Sequence, residues 1–127
     1  MQRVPSPSPY APVIGFSSAV RVGDLVLVAG TTAVDASGEV VGGDDPAAQA
    51  REVFRKIGLA LEAAGAGLSQ VVQTRVYLTR AQDWEAVGRV HGEVFAAAPP
   101  AATMVVVSGL LDPRMLVEIE AVASLSA

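Results

Sequence analysis

Cysteine is absent from this 127-residue chain, and histidine occurs once. The first absence excludes disulfides, zinc knuckles and a thiol nucleophile. The second excludes a histidine-rich metal centre within one chain. Charge is sparse at 17% of residues, and acidic residues outnumber basic ones 13 to 9, for a net charge of −4. A basic footprint for nucleic acid is therefore missing. No stretch approaches the roughly 20 consecutive apolar residues of a membrane span. Met1 to Pro12 carries four prolines and no apolar h-region. It does not read as a signal peptide, and we expect an extended lead-in over residues 1–12. A phosphate-binding glycine loop is also lacking, because no strand-Gly-x-Gly-x-x-Gly-helix arrangement surrounds Gly65 and Gly67. We expect no cofactor, no metal, no nucleic acid and no membrane partner, and a cytoplasmic location. What remains is apolar, with 51% hydrophobic residues. That is enough for one core in a single domain over 1–127 and excludes disorder for most of the chain.

The chemistry-bearing segments alternate in period. Leu25 to Gly30 (LVLVAG) is a short apolar run after Gly23-Asp24 and reads as a strand, with Ala19 to Val22 as its hairpin partner. Asp35 to Gly43 reads as a loop. Asp45-Pro46 suits the N-cap and first position of a helix. Ala50, Val53, Phe54, Ile57, Leu61 and Ala64 then form one apolar stripe, closed by Gly65 and Gly67. Val71 to Thr79 is β-branched and reads as a strand. A second helix is expected over roughly 83–97, with Trp84, Val87, His91, Val94 and Phe95 facing the core, and Pro99-Pro100 ends it. Thr103 to Val107 and Leu116 to Ala123 are the last strands. The order β-β-α-β-α-β-β describes an α+β domain with two helices on one face of a mixed sheet.

Such a sheet has a second face, and a face that meets water should be polar. Side chains alternate along a strand, yet in 103–107 both sides are apolar, and Leu25 to Val28 behaves the same way. Other copies of the same chain are the simplest cover, so we expect a homo-oligomer. On the last strand Val117, Ile119, Ala121 and Ala123 should meet the helices. Glu118 and Glu120 then fall on the opposite face, about 6.5–7 Å apart. With Val76 and Leu78 facing the helices, Arg75 and Tyr77 join the carboxylates. A partly buried carboxylate needs a partner or a raised pKa. Arg75 is the natural partner of Glu118 or Glu120, and its alternative role is to anchor an anionic ligand.

IGFSSAVRVGDLVLVAG, AAQAREVFRKIGLALEAAG, VVQTRVYLT, PPAAT and above all LVEIEAVA, in this order, resemble the RidA/YjgF family, whose best-known members hydrolyse reactive enamines and imines. The resemblance runs from about Ile14 to Ala123. It implies a chorismate-mutase-like fold, a homotrimer whose sheets form a central barrel, and ligand clefts between subunits. It also implies Glu120 as the glutamate that positions water. Gly30, Thr31 and Thr103 become ligand-contacting positions. Phe16 stands for the family's tyrosine, Gly88 for a cleft asparagine, Met104 for a cysteine, and Ala102 for the arginine that clamps a substrate carboxylate. A methyl group cannot replace a bidentate guanidinium, and each lost charged hydrogen bond costs about 1.5–3 kcal/mol.

The expected function is therefore a RidA-like imine or enamine hydrolase with altered substrate choice. The alternatives are a non-catalytic trimer that binds a small apolar metabolite or a partner protein, and an accessory enzyme that isomerises or cyclises an intermediate. Arg114, in the Asp112-Pro113 turn, reads as a solvated turn residue and His91 as a packing residue.

Overall fold

The computed structural model describes residues 1–126. Six strands form one sheet: β1 (Gln2–Val4), β2 (Ala19–Val22), β3 (Leu25–Thr31), β4 (Val71–Leu78), β5 (Ala101–Val106) and β6 (Val117–Ser124). Their spatial order is β1-β2-β3-β6-β4-β5. Only the β4–β5 pair is parallel. Three helices accompany them: a single turn α1 (Ala11–Ile14), α2 (Pro46–Ala63) and α3 (Trp84–Val94). β3 and β4 both run antiparallel to the β6 strand between them, so β3-α2-β4 and β4-α3-β5 are two successive crossovers in the same direction. Crossovers of one hand and one direction lay their helices on the same face. Phe54 of α2 indeed meets Phe95, just past α3, edge to face with ring centroids 5.5 Å apart.

The helix stripe lies where its spacing puts it. Asp45 caps α2 by accepting from the N–H groups of Ala47 and Ala48 at 3.0 and 3.3 Å. Ala50, Val53, Phe54, Ile57, Leu61 and Ala64 are all buried, and Gly65 leaves the helix at φ +84°. Against them lie Val26 and Val28 of β3, Val76 and Leu78 of β4, and Val117, Ile119, Ala121 and Ala123 of β6. Three polar residues are also buried, Gln49, Thr74 and Asp83. Gln49 donates to Gly43 O and Arg114 O and accepts from Leu116 N–H, so its amide is satisfied while tying α2 to the chain on both sides. Gly42, at φ +100°, passes so near that a Cβ would press on the Gln49 backbone nitrogen at 2.9 Å.

Three expectations are corrected. Residues 1–12 are not simply an extended lead-in: Gln2–Val4 pairs with β2 in register Gln2↔Arg21 to Val4↔Ala19, which makes a sixth strand. Three residues running into Pro5 are too few to show a period, and a partner strand organises them. Trp84 is not in the core but 61% exposed. The chain reaches α3 through a 3-10 turn, Ala81–Asp83, and the buried group there is Asp83, held by Arg80 Nε at 2.8 Å. The indole on the first helical residue lies outside that turn. The second helix is also shorter than expected, ending at Val94.

Candidate functional site

The sheet face away from α2 and α3 carries the titratable groups. In β4 and β6 the alternation that buries Val76 and Ile119 turns Arg75, Tyr77, Glu118 and Glu120 to this face. The register sets Arg75 opposite Glu120 and Tyr77 opposite Glu118. Arg75 Nη1 lies 3.5 Å from Glu120 Oε1, and the Tyr77 hydroxyl donates to the same oxygen. That bond to Glu120 raises the Tyr77 phenol above its ordinary pKa. Of the two partners the sequence left open for Arg75, Glu118 and Glu120, the pair forms with Glu120, and Tyr77 adds a second donor that alternation alone could not assign. With the side chains 53% and 34% exposed, the ion pair itself contributes under about 1 kcal/mol in the single chain.

Glu118 is different. It is half-buried, and its carboxylate makes no hydrogen bond or ion pair among the described residues. It lines a concavity of about 290 Å³ with Tyr10, Ile14, Phe16, Gly30, Leu111 and Met115. Burial, and secondarily the charge of Glu120, push its carboxyl above the usual glutamate pKa. A Cβ on Gly30 would collide with the Glu118 carboxylate, so an added methyl would push that side chain out of the place it occupies. A second concavity of about 310 Å³ shares Ser8, Phe16, Ala29, Gly30 and Thr32 with the first and continues beneath the 4–8 segment to α2.

The residues named from the sequence fall into three places. Phe16 and Gly30 line both concavities, and Thr31 lines the second, its hydroxyl donating to Ala29 O at 2.8 Å. Arg75 and Glu120 pair on the open face, with Thr103 in register beside Arg75. Ala102 and Met104 pair with Thr74 and Val76, and Met104 packs against the core from the helix side. Gly88 sits on α3 with open space where a Cβ would be. Gly88, Ala102, Thr103, Met104 and Glu120 line neither concavity. The acidic residue in the cleft is Glu118, which sequence reasoning placed on the right face but did not single out. Arg114 binds Asp112, Glu39 and Gly38 O and fastens two loops together. His91 accepts or donates to Thr74 Oγ1 at 2.8 Å and packs beside Phe54 and Phe95. Among the described residues no helix is long and apolar enough to cross a membrane.

Residues 7–125 match the profile of the family described as Endoribonuclease L-PSP. The chain is similar to an uncharacterized protein of Streptomyces coelicolor, 41% identical over 94% of this chain and 89% of that one. It superposes on the crystal structure of a YjgF/YER057c/UK114 family member from Mycobacterium tuberculosis with a TM-score of 0.87 and 46% identity, covering 97% and 98% of the two chains. Against RidA from the Antarctic bacterium Psychrobacter sp. PAMC 21119 the TM-score is 0.85 at 32% identity, covering 98% and 99%.

Proposed function

The chain belongs to the Endoribonuclease L-PSP family, together with the YjgF and RidA proteins, and on that premise we propose that it hydrolyses imines and enamines in a cleft completed by a second copy of itself, with Glu118 as the group that handles protons. The observation that carries this reading is the unpaired, half-buried Glu118 carboxylate against Gly30 in a largely apolar concavity. A carboxylate whose charged form is disfavoured takes up a proton more readily than an exposed one. It can give a proton to the β-carbon of an enamine, which leaves a carboxylate and the iminium form of the imine. It can then take one from water as the oxygen attacks the imine carbon. The nitrogen takes that proton back from Glu118, the carboxylate accepts the hydroxyl proton of the amino alcohol as its C–N bond breaks, and ammonia and a carbonyl compound leave. Glu120, already committed to Arg75 and Tyr77, has fewer free lone pairs for that work.

Assembly as a trimer is supported by the open face. Leu25 and Leu27 are each 45% exposed there and Val105 42%, beside the Arg75–Glu120 pair. Edge strand β5, which carries Ala102, Thr103 and Met104, is exposed along almost its whole length. A neighbouring copy seated here would cover these apolar residues. Without an arginine at Ala102, the substrate is an imine that does not depend on a clamp at that position. A net charge of −4 speaks against RNA as the substrate.

The test is hydrolysis of 2-aminoacrylate and of a bulkier imine, both generated in situ. Glu118→Gln should lower kcat about 10²–10⁴-fold, the usual contribution of a positioned acid–base group. Glu120→Gln should lower it far less, and Ala102→Arg should improve 2-aminoacrylate. A wild type inert toward both substrates overturns the hydrolase. The absence of a guanidinium at Ala102 and of a hydroxyl at Phe16 would then favour a trimer that binds without turnover.

A further inference from the structure

The two concavities meet along Phe16, Ala29, Gly30 and Thr32, so a ligand with its reacting end at Glu118 can extend past Gly30 toward α2. The far part is walled by Val4, Pro5, Pro7 and Leu59 and contains four charged groups. Three are occupied. Asp35 accepts from the Ser37 hydroxyl and from the N–H groups of Ser37 and Glu39. Glu52 takes Arg55 in a two-point pair, with both bonds at 2.7 Å. The fourth is Lys56. Its ammonium donates to Thr32 O at 2.6 Å and Val34 O at 2.8 Å, which fixes its position and leaves its third hydrogen without an acceptor among the described residues. Burial disfavours its charged form by more than the charges of Glu52 and Asp35 favour it, so a further anion at its free hydrogen would still help it.

We propose that Lys56 receives the carboxylate of an extended substrate, one that carries its anionic group several bonds away from the C=N bond. This rests on the hydrolase reading for the identity of the reacting end, but not for the anion site itself. One positive charge and one free N–H suit a carboxylate. A phosphate asks for more donors than this end of the groove holds. An anchor at the far end also fits a chain whose position 102 is an alanine: specificity would be for long acidic imines rather than short ones.

Lys56→Gln is the informative variant, because an amide can still donate to Thr32 O and Val34 O while the charge is lost. Calorimetry on the assembled protein should show hexanoate binding at least tenfold more tightly than hexanamide. Lys56→Gln should abolish that preference and Lys56→Arg should retain part of it. Equal binding of the two probes by wild type, or a preference unchanged in Lys56→Gln, overturns the proposal. In turnover, Lys56→Gln should raise KM for an imine bearing a distal carboxylate about tenfold, leave kcat nearly unchanged, and spare a neutral imine. A carboxylate preference that depends on Lys56, in a protein that turns over no imine, would uphold this site while overturning the hydrolase.

Discussion

The two faces of the sheet are built from alternate residues of the same strands and have opposite physical characters. On the helix side, β6 presents Val117, Ile119, Ala121 and Ala123, all at most 3% exposed. On the other side the same strand presents Glu118, Glu120 and Val122, all partly accessible. Within the open face a second contrast appears. Glu120 is tied to Arg75 and Tyr77, whereas Glu118, two residues earlier, has only the wall of a cavity beside it. The helix side holds the fold together by burial that any apolar side chain of the right volume can supply. The open side depends on individual groups and on what covers them.

The comparison is broken most strongly from the helix side. Ile119→Ala removes a fully buried side chain that α2 and the sheet cannot collapse around, and should cost about 2–5 kcal/mol. Denaturant unfolding at fixed protein concentration measures it, and a loss below about 1 kcal/mol would show that the layer is loosely packed. Next comes Leu27→Asp on the open face. In the proposed trimer it should leave the circular dichroism of the chain intact while the solution mass falls from three times 13.0 kDa toward one. A trimer that survives this change would mean that the exposed leucines are not the covered surface.

Gly30→Ala sharpens the contrast inside the open face. The added methyl competes with the Glu118 carboxylate for one space, so under the proposed activity imine turnover should fall at least tenfold while the Arg75–Glu120 pair is untouched. The pH dependence follows the same line. The folded protein raises the Glu118 pKa, so it binds that proton more tightly than the unfolded chain does. The resulting stabilisation is full below the ordinary value of 4.5 and is lost as pH rises through the elevated one. Glu118→Gln should therefore be more stable than wild type near pH 7, and the difference should vanish below about pH 4.5. Thermal unfolding across pH would show it. A constant difference would mean that the carboxylate is not what the cavity penalises.

The smallest effect belongs to Asp112. Its bonds with Arg114 hold its carboxyl down at about 2. Its contribution is present above the ordinary 3.8 and disappears as pH falls toward 2. On an exposed turn this should move the unfolding midpoint of Asp112→Asn only slightly, with the difference confined to pH above 2.

Periodicity carried most of the fold because each period is a local property of the backbone. A 3.6-residue repeat from Ala50 to Ala64 can bury only one helix face, and a two-residue repeat in β4 and β6 assigns every side chain to one of two faces. That was sufficient to set Arg75 and Tyr77 beside Glu118 and Glu120 on a face that also carries apolar residues. It was not sufficient for Trp84, whose spacing matches the stripe but whose helix begins at that residue. Nor could it find β1, which exists through its pairing with β2, or Gln49, whose three partners lie 6, 65 and 67 residues away.

The sequence by itself determined the α+β order, the buried stripe and which carboxylates share a face, since each follows from geometry within a few residues. Only the tertiary structure decided that Glu120 is engaged and Glu118 is not, that Gly30 is the space Glu118 occupies, and that Lys56 closes the far end of the same groove. Those facts depend on which distant segments become neighbours, and a hydrogen bond or a cavity wall exists only once both sides have arrived.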